Sequence, residues 1–197
     1  MGLTLNPQSL VKAGPDNAIS LGSLAKAVTD WTIGLGWDPG STRKVDCDLW
    51  LVLLEDGQAV ELVRYDEADA KKKITSPSGA LEYLGDDRTG ESSDGGDDEQ
   101  GRVHLDKFRV TGHKVLIIAN IYEPDGLTFD QIDNAYVRVF PGNDESKAQA
   151  IQLTDKGKGA RTVIFGWLEV VGDDVKFENN SSHASDIAAA LAPFGVS

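Results

Sequence analysis

The fifteen residues from Gly85 to Glu99 hold seven acids, one base and four glycines, a net charge of −6 in a chain whose total is −13. Like charges at this density repel, and an apolar interior does not accept them bare. Two arrangements meet that constraint: a solvated hairpin tip, or a loop drawn together by a multivalent cation. The glycines favour the cation, because they let the backbone turn sharply and bring several oxygens to one point. A second group of acids stands upstream, where Asp46 and Asp48 open the most apolar segment of the chain, Val45 to Leu54. On a strand, a spacing of two puts both carboxylates on one face and Cys47 on the other. Strand pair and loop together offer hard oxygen donors. Ca2+ takes roughly 6–8 oxygens in flexible geometry and suits a long Gly-rich loop better than Mg2+, which demands an octahedron and keeps its water. The charge present is enough to neutralise two Ca2+ ions.

Other chemistries find less support. One cysteine and the scattered His104, His113 and His183 give no zinc-ligand spacing, and the histidines read as surface residues. An EF-hand loop counted from Asp86 would put Arg88 at its third position and Glu91 at its sixth, where an acid and a glycine are needed. Clustered carboxylates can hold catalytic ions, which keeps a metal-dependent hydrolase as an alternative. No Gly-x-Ser-x-Gly elbow accompanies them, and Cys47, facing away from the aspartates in an apolar strand, is a poor nucleophile. The reading is therefore non-enzymatic.

The elements that must position these acids read as strands. Trp31 to Trp37 alternates and ends at the turn signal Asp38-Pro39-Gly40-Ser41. Val45 to Leu54 is apolar on both faces past residue 48, as a strand between two layers would be. Glu55-Asp56-Gly57-Gln58 turns it into a hairpin with Ala59 to Val63. Residues 64–80 read as a polar connector, in which Lys71-Lys72-Lys73 is a solvated run. Further strands are expected over Ala80–Leu84, Val103–Phe108, Lys114–Tyr122, Ala135–Phe140, Ala148–Leu153, Thr162–Val171 and Val175–Phe177. Gly172-Asp173-Asp174 reads as a tight turn, Gly14-Pro15-Asp16-Asn17 as another, and Phe129 to Ile132 as one helical turn. Leu3, Leu5, Ile19 and Leu21 suit short edge strands. Asp186 to Leu191 is helical in composition, with Ser185 as N-cap and Gly195 beyond its end. Nine or ten short strands, few short helices and no repeat predict an all-β fold, a β-sandwich of two sheets with a short helix at the C-terminus. No linker divides residues 1–197, so a single domain is expected.

Composition narrows the partners. With 19 basic against 32 acidic residues, the chain lacks the charge that nucleic acid or an anionic membrane surface recruits. A lone cysteine permits no intrachain disulfide and fits a reducing compartment. The opening Met1-Gly2-Leu3-Thr4-Leu5-Asn6 has neither a secretory pattern nor a myristoylation signal, and no apolar run approaches the roughly 20 residues that span a bilayer. A cytoplasmic location without membrane insertion is expected.

The same residues resemble the TerD family of tellurium-resistance and stress proteins. Gly34-Leu35-Gly36-Trp37-Asp38 is similar to the family's Gly-Leu-Gly-Trp-Asp, and Asp46-Cys47-Asp48-Leu49 to its Asp-x-Asp-Leu. Leu84 to Glu91 and Gly96-Asp97-Asp98-Glu99 resemble the two halves of its acidic loop, here lengthened by Ser92-Ser93-Asp94-Gly95. Phe129 to Arg138 and Gly166 to Phe177 resemble its later segments, while residues 1–30 match weakly. The resemblance implies a β-sandwich that binds Ca2+ at one end, usually two ions, without catalysis. It implies a bacterial cytoplasmic stress protein that works with other tellurium-resistance proteins at the inner membrane face. By motif it implies Asp46, Asp48, Asp86, Asp87, Asp94, Asp97, Asp98 and Glu99 as metal ligands, with carbonyls near Arg88 and Gly90 assisting. Asp46→Asn or Asp97→Asn is then expected to weaken Ca2+ binding with little change in core stability. A Ca2+-dependent membrane-associating module, similar in architecture to C2 domains, is the principal alternative.

Overall fold

The computed structural model describes residues 18–20, 29–38, 45–69, 71–88, 90, 96–108, 113–122, 126–153, 159–171, 174–179 and 181–196. Leu3, Leu5, Leu21, the turn at 14–17, most of the turns at 38–41 and 172–174, and the candidate ligand Asp94 lie outside them.

Two antiparallel sheets face each other. One runs in the order β1 (Ala18–Ser20), β12 (Asp174–Glu178), β11 (Thr162–Val171), β8 (Lys114–Ile121), β3 (Cys47–Glu55) and β4 (Gln58–Val63), and β13 (Ser182–Ala184) also pairs with β11. The other runs β10 (Gln149–Gln152), β9 (Tyr136–Pro141), β2 (Asp30–Gly36), β7 (Glu99–His104), β6 (Leu81–Tyr83) and β5 (Ile74–Thr75). This is the expected β-sandwich, with thirteen strands among the described residues instead of nine or ten. Of the additional ones, β1 is the short edge strand expected at Ile19, while β5 and β13 are only two and three residues long, too short for side-chain alternation to reveal them.

β3 shows why its sequence is apolar on both faces. Cys47, Leu49, Leu51 and Leu53 enter the core between the sheets, beside Ile33, Leu35, Ile117, Ala119 and Phe165. Trp50, Val52 and Leu54 point the other way, onto a second cluster with Leu116, Ile118, Ile164, Ala190 and Leu191. The C-terminal helix α2 (Ile187–Leu191) supplies the last two and covers the outer face of the sheet. Its N-cap is Asp186, whose carboxylate accepts the Ala189 N–H at 2.8 Å; the cap falls one residue after the expected Ser185, which hydrogen-bonds Asp186 instead. The chain leaves the following 3-10 turn (Ala192–Phe194) through Gly195 in the left-handed region, φ 80°. The β3–β4 hairpin turns through Asp56 and Gly57, both at positive φ, the primed geometry that matches strand twist.

One boundary bears on the site. A strand was expected over Val103–Phe108, yet β7 starts four residues earlier, at Glu99, and stops at His104. Leu105–Phe108 forms one helical turn, α1, with Leu105 buried. The end of the acidic segment is recruited into the sheet: Asp98 N–H donates to Leu35 O at 2.9 Å, and Glu99 pairs with Leu35.

Candidate metal centre

Asp46 precedes β3 and Asp48 is its second residue, and β4 pairs with β3 only from Leu51 onward. Asp86 arrives from the loop after β6. One ligand atom from each of Asp46, Asp48 and Asp86 lies within 4.8 Å of the others. The three line a cavity of about 290 Å3, shared with Tyr65, Glu67, Arg88 and Tyr122. As the spacing requires, Cys47 points into the core, fully buried, away from its acidic neighbours.

Two of the three carboxylates are desolvated, and Asp46 is half-buried. Asp48 is 1 % exposed, and the side chain of Asp86 is 2 % exposed even though Arg88 Nε donates to its Oδ2 at 3.0 Å. Burial first, and the Asp46 carboxylate second, push the Asp48 carboxyl up to about 8, opposed by a hydrogen bond from Asn120. Asn120 stands directly across from Asp48 on β8 and accepts a 2.7 Å hydrogen bond from Thr162 of β11. A polar row thus crosses an otherwise apolar sheet. Asn120 and Thr162 were not among the expected site residues, although a polar residue inside Val-Leu-Ile-Ile-Ala-Asn-Ile opposite an acid was the signal for one.

Glu99 reaches the same region from the second sheet. Its Oε2 accepts Leu49 N–H at 2.7 Å on the part of β3 that β4 leaves open. Burial first, then Asp48, hold its carboxyl well above the ordinary range. Burial and then Glu99 likewise raise the adjacent Tyr83 hydroxyl. Asp48 Oδ2, Asp86 Oδ1 and Glu99 Oε1 are buried and accept no hydrogen bond. Buried carboxylate oxygens without donors are costly, and a cation is the partner that carboxylate chemistry calls for. The donor set therefore fits a hard metal ion.

The remaining expected ligands are placed differently. Asp98 Oδ2 accepts Trp37 N–H at 2.9 Å. Gly90, at φ 65°, packs on the Trp37 ring, whose Nε1 donates to Val45 O at 3.0 Å. Asp87 is half-buried beside Asp86 and outside the cluster of three. Asp97 faces away: its carboxylate receives Arg138 Nε at 2.6 Å and Nη2 at 2.9 Å, Gln100 Nε2 at 2.9 Å and the Tyr136 hydroxyl at 3.2 Å. Its side chain is 0 % exposed, so substitution there strikes a buried ion pair. The histidines depart from simple surface residues in two cases: His104 is partly buried and pairs with Asp30 at 2.8 Å, and His113 is partly buried with Nε2 3.6 Å from Glu55. The lysine run behaves as expected, exposed throughout, with Lys72 on Asp66.

An antiparallel sandwich with a partly buried cluster of three aspartates at one end of its sheet is the class of protein this geometry defines. Comparison with known proteins gives the family. Residues 10–192 match the TerD domain. The chain is 28 % identical over 195 residues to the tellurium resistance protein TerD of Serratia marcescens, covering 95 % of this chain and 97 % of that protein. It is 28 % identical over 163 residues to the stress response protein SCP2 of Bacillus subtilis (strain 168), covering 74 % and 78 %. A crystal structure of a TerD homologue from Streptomyces coelicolor A3(2) superposes with a TM-score of 0.64 at 20 % identity, over 82 % of this chain and 94 % of that one. The chain belongs to the TerD family, whose curated members include tellurium-resistance and stress-response proteins. Among the described residues, no helix is long and apolar enough to cross a membrane.

Proposed function

We propose that this protein is a non-enzymatic Ca2+-binding module of the bacterial stress response, in which the ion joins the acidic loop to β3 and fixes a surface for a partner. The carrying observation is the convergence of Asp46, Asp48 and Asp86, with Asp48 Oδ2 and Asp86 Oδ1 buried and without hydrogen-bond donors. Those three residues hold the ion, with Glu99 in its field. For an ion that takes roughly 6–8 oxygens, the other positions fall to second carboxylate oxygens, loop carbonyls and water. The ion supplies positive charge where three converging carboxylates, Asp48 buried and Asp46 and Asp86 partly so, otherwise repel one another. Cys47 supports the non-enzymatic reading, since burial pushes its thiol well up and a thiol is not a nucleophile. The working context is cytoplasmic, with other tellurium-resistance proteins as partners at the inner membrane face, as the family resemblance implies.

Calorimetric titration of the metal-free protein with CaCl2, repeated in excess MgCl2, tests the reading. Saturable Ca2+ binding that persists in Mg2+ and is lost in Asp48→Asn supports it. Absence of binding at millimolar Ca2+ refutes it.

Tyr122 favours a second reading. It is 53 % exposed beside the cluster and meets Tyr65 edge-on, with ring centroids 5.8 Å apart. An exposed tyrosine at the mouth of a cation site suits the interfacial layer of a membrane. Sedimentation with anionic liposomes that requires Ca2+ and is lost in Tyr122→Ser would establish this role, and no sedimentation in either condition would exclude it.

A further inference from the structure

The acidic motif Gly96-Asp97-Asp98-Glu99 divides its labour, and Asp97 has a partner that the metal does not explain. On the outer face of the second sheet, Arg138 grips both Asp97 oxygens and also Glu145 Oε2 at 3.0 Å. The Tyr136 hydroxyl donates to Gly96 O at 2.9 Å and lies 3.2 Å from Asp97 Oδ1. The side chains of Arg138 and Asp97 are 7 % and 0 % exposed. Two glycines make the space: a Cβ at Gly34 would overlap the Asp97 carboxylate, and one at Gly36 the Tyr136 ring. These glycines belong to the Gly-Leu-Gly-Trp-Asp motif and the arginine to the Asn-Ala-Tyr-Val-Arg segment, so three separate parts of the sequence converge on one carboxylate.

Two short routes lead from this grip to the cluster. Through the chain, Asp97 is followed by Asp98, whose N–H and carboxylate are tied to Leu35 of β2 and to Trp37 just past its end, and by Glu99, which reaches Leu49 beside Asp48. Through the ring, Trp37 Nε1 holds Val45 O, immediately before Asp46. A bidentate guanidinium–carboxylate pair fixes orientation as well as position, and partners that orient ligand-bearing segments tune metal affinity without touching the ion.

We propose that Asp97 and Arg138 form a clamp that registers the closing arm of the acidic loop against the second sheet, making Arg138 and Tyr136 positioning residues for the metal cluster and Asp97 their anchor, not a ligand. This rests on the metal-binding reading above. The two roles for Asp97 predict effects of opposite sign. If Arg138 positions the loop, Arg138→Gln weakens binding. If Asp97 is a ligand held back by Arg138, the same change frees a carboxylate and strengthens binding.

The test is Ca2+ titration of the full chain, each variant held well below its melting temperature. Arg138→Gln is expected to lower affinity roughly tenfold, with partial recovery in Arg138→Lys, which keeps the charge but not the fork. Tyr136→Phe removes one hydroxyl from a packed ring, keeps the assay open if Arg138→Gln does not fold, and is expected to weaken binding about threefold. Val170→Ala, a core change in β11 on the opposite sheet, is expected to lower stability and leave affinity unchanged. Affinity that is unchanged or raised in Arg138→Gln and Tyr136→Phe overturns the clamp. A loss in Val170→Ala equal to theirs also overturns it, by showing the effect to be general destabilisation. Absence of binding in the wild type instead refutes the metal reading, and the positioning role with it.

Discussion

Replacing Asp48 by Asn should stabilise the metal-free protein while abolishing its response to Ca2+. The Asp48 carboxyl is pushed from its ordinary 3.8 up to about 8, by burial first and by Asp46 second. A group whose folded pKa is raised contributes stability that is fully present below the unfolded pKa and is lost as pH climbs through the folded one. For Asp48 the window runs from about pH 4 to about pH 8. At ~1.4 kcal/mol per pH unit the ceiling on that loss is ~6 kcal/mol. The value of about 8 already includes the Asn120 hydrogen bond; relaxation of the coupled Asp46 reduces the real figure, so a gain of about 2–3 kcal/mol in Asp48→Asn at pH 8 is expected. For a chain of this length that corresponds to a rise of roughly 5–10 °C in Tm. Asparagine conserves volume and still accepts from Asn120. At pH 5 the wild-type carboxyl is protonated, and the two proteins should agree within about 1 kcal/mol. Urea denaturation in EDTA at pH 5 and pH 8, then at pH 8 with Ca2+, measures all of this. Saturating Ca2+ at ~100 times Kd should raise the wild type by about 2.7 kcal/mol and leave the variant unmoved. An Asp48→Asn protein less stable than wild type at pH 8 in EDTA, or with an unaltered dependence on pH, would refute the reasoning.

Other consequences are equally open to measurement. Ca2+ binding should release protons between pH 6 and about 8, because Asp48 and Glu99 are held above their ordinary range; calorimetry in buffers of differing ionisation enthalpy should show it, and affinity should fall as pH drops. Gly34→Ala should push Asp97 off its site on the outer face of β2 and cost about 1–3 kcal/mol by urea denaturation. Asp186→Ala should remove the α2 cap for about 1 kcal/mol, with Ser185→Ala near neutral, distinguishing the cap that forms from the neighbour that does not. Leu191→Ala should cost about 2–5 kcal/mol by uncovering Trp50 and Val52.

Much of the frame was legible in the chain because local pattern and global fold agree. β3 declares itself by being apolar on both faces, and the structure covers both, one with the second sheet and one with α2. The Asp46/Asp48 spacing predicts one shared face with Cys47 opposite, and Asp86 from the loop meets them there. What the sequence conceals is direction. Asp97, Asp98 and Glu99 are adjacent acids with one shared motif, yet they reach Arg138, Trp37 and Leu49 respectively. Strand alternation sends neighbours to different faces, and only the start of β7 at Glu99 says which carboxylate goes where. The cap shows the same limit: Ser185 and Asp186 are both good N-cap residues, and the packing of Ala190 and Leu191 decides between them. The Asn120–Thr162 row depends on register between three strands, which no window on the sequence contains.

Crystals grown with Ca2+, or with Tb3+ as its anomalously scattering substitute, would locate the ion itself. A metal peak is expected between the carboxylates of Asp46, Asp48 and Asp86, with Asp97 still on Arg138. A peak coordinated by Asp97, or crystals at saturating metal with no ion between those three aspartates, would contradict that placement.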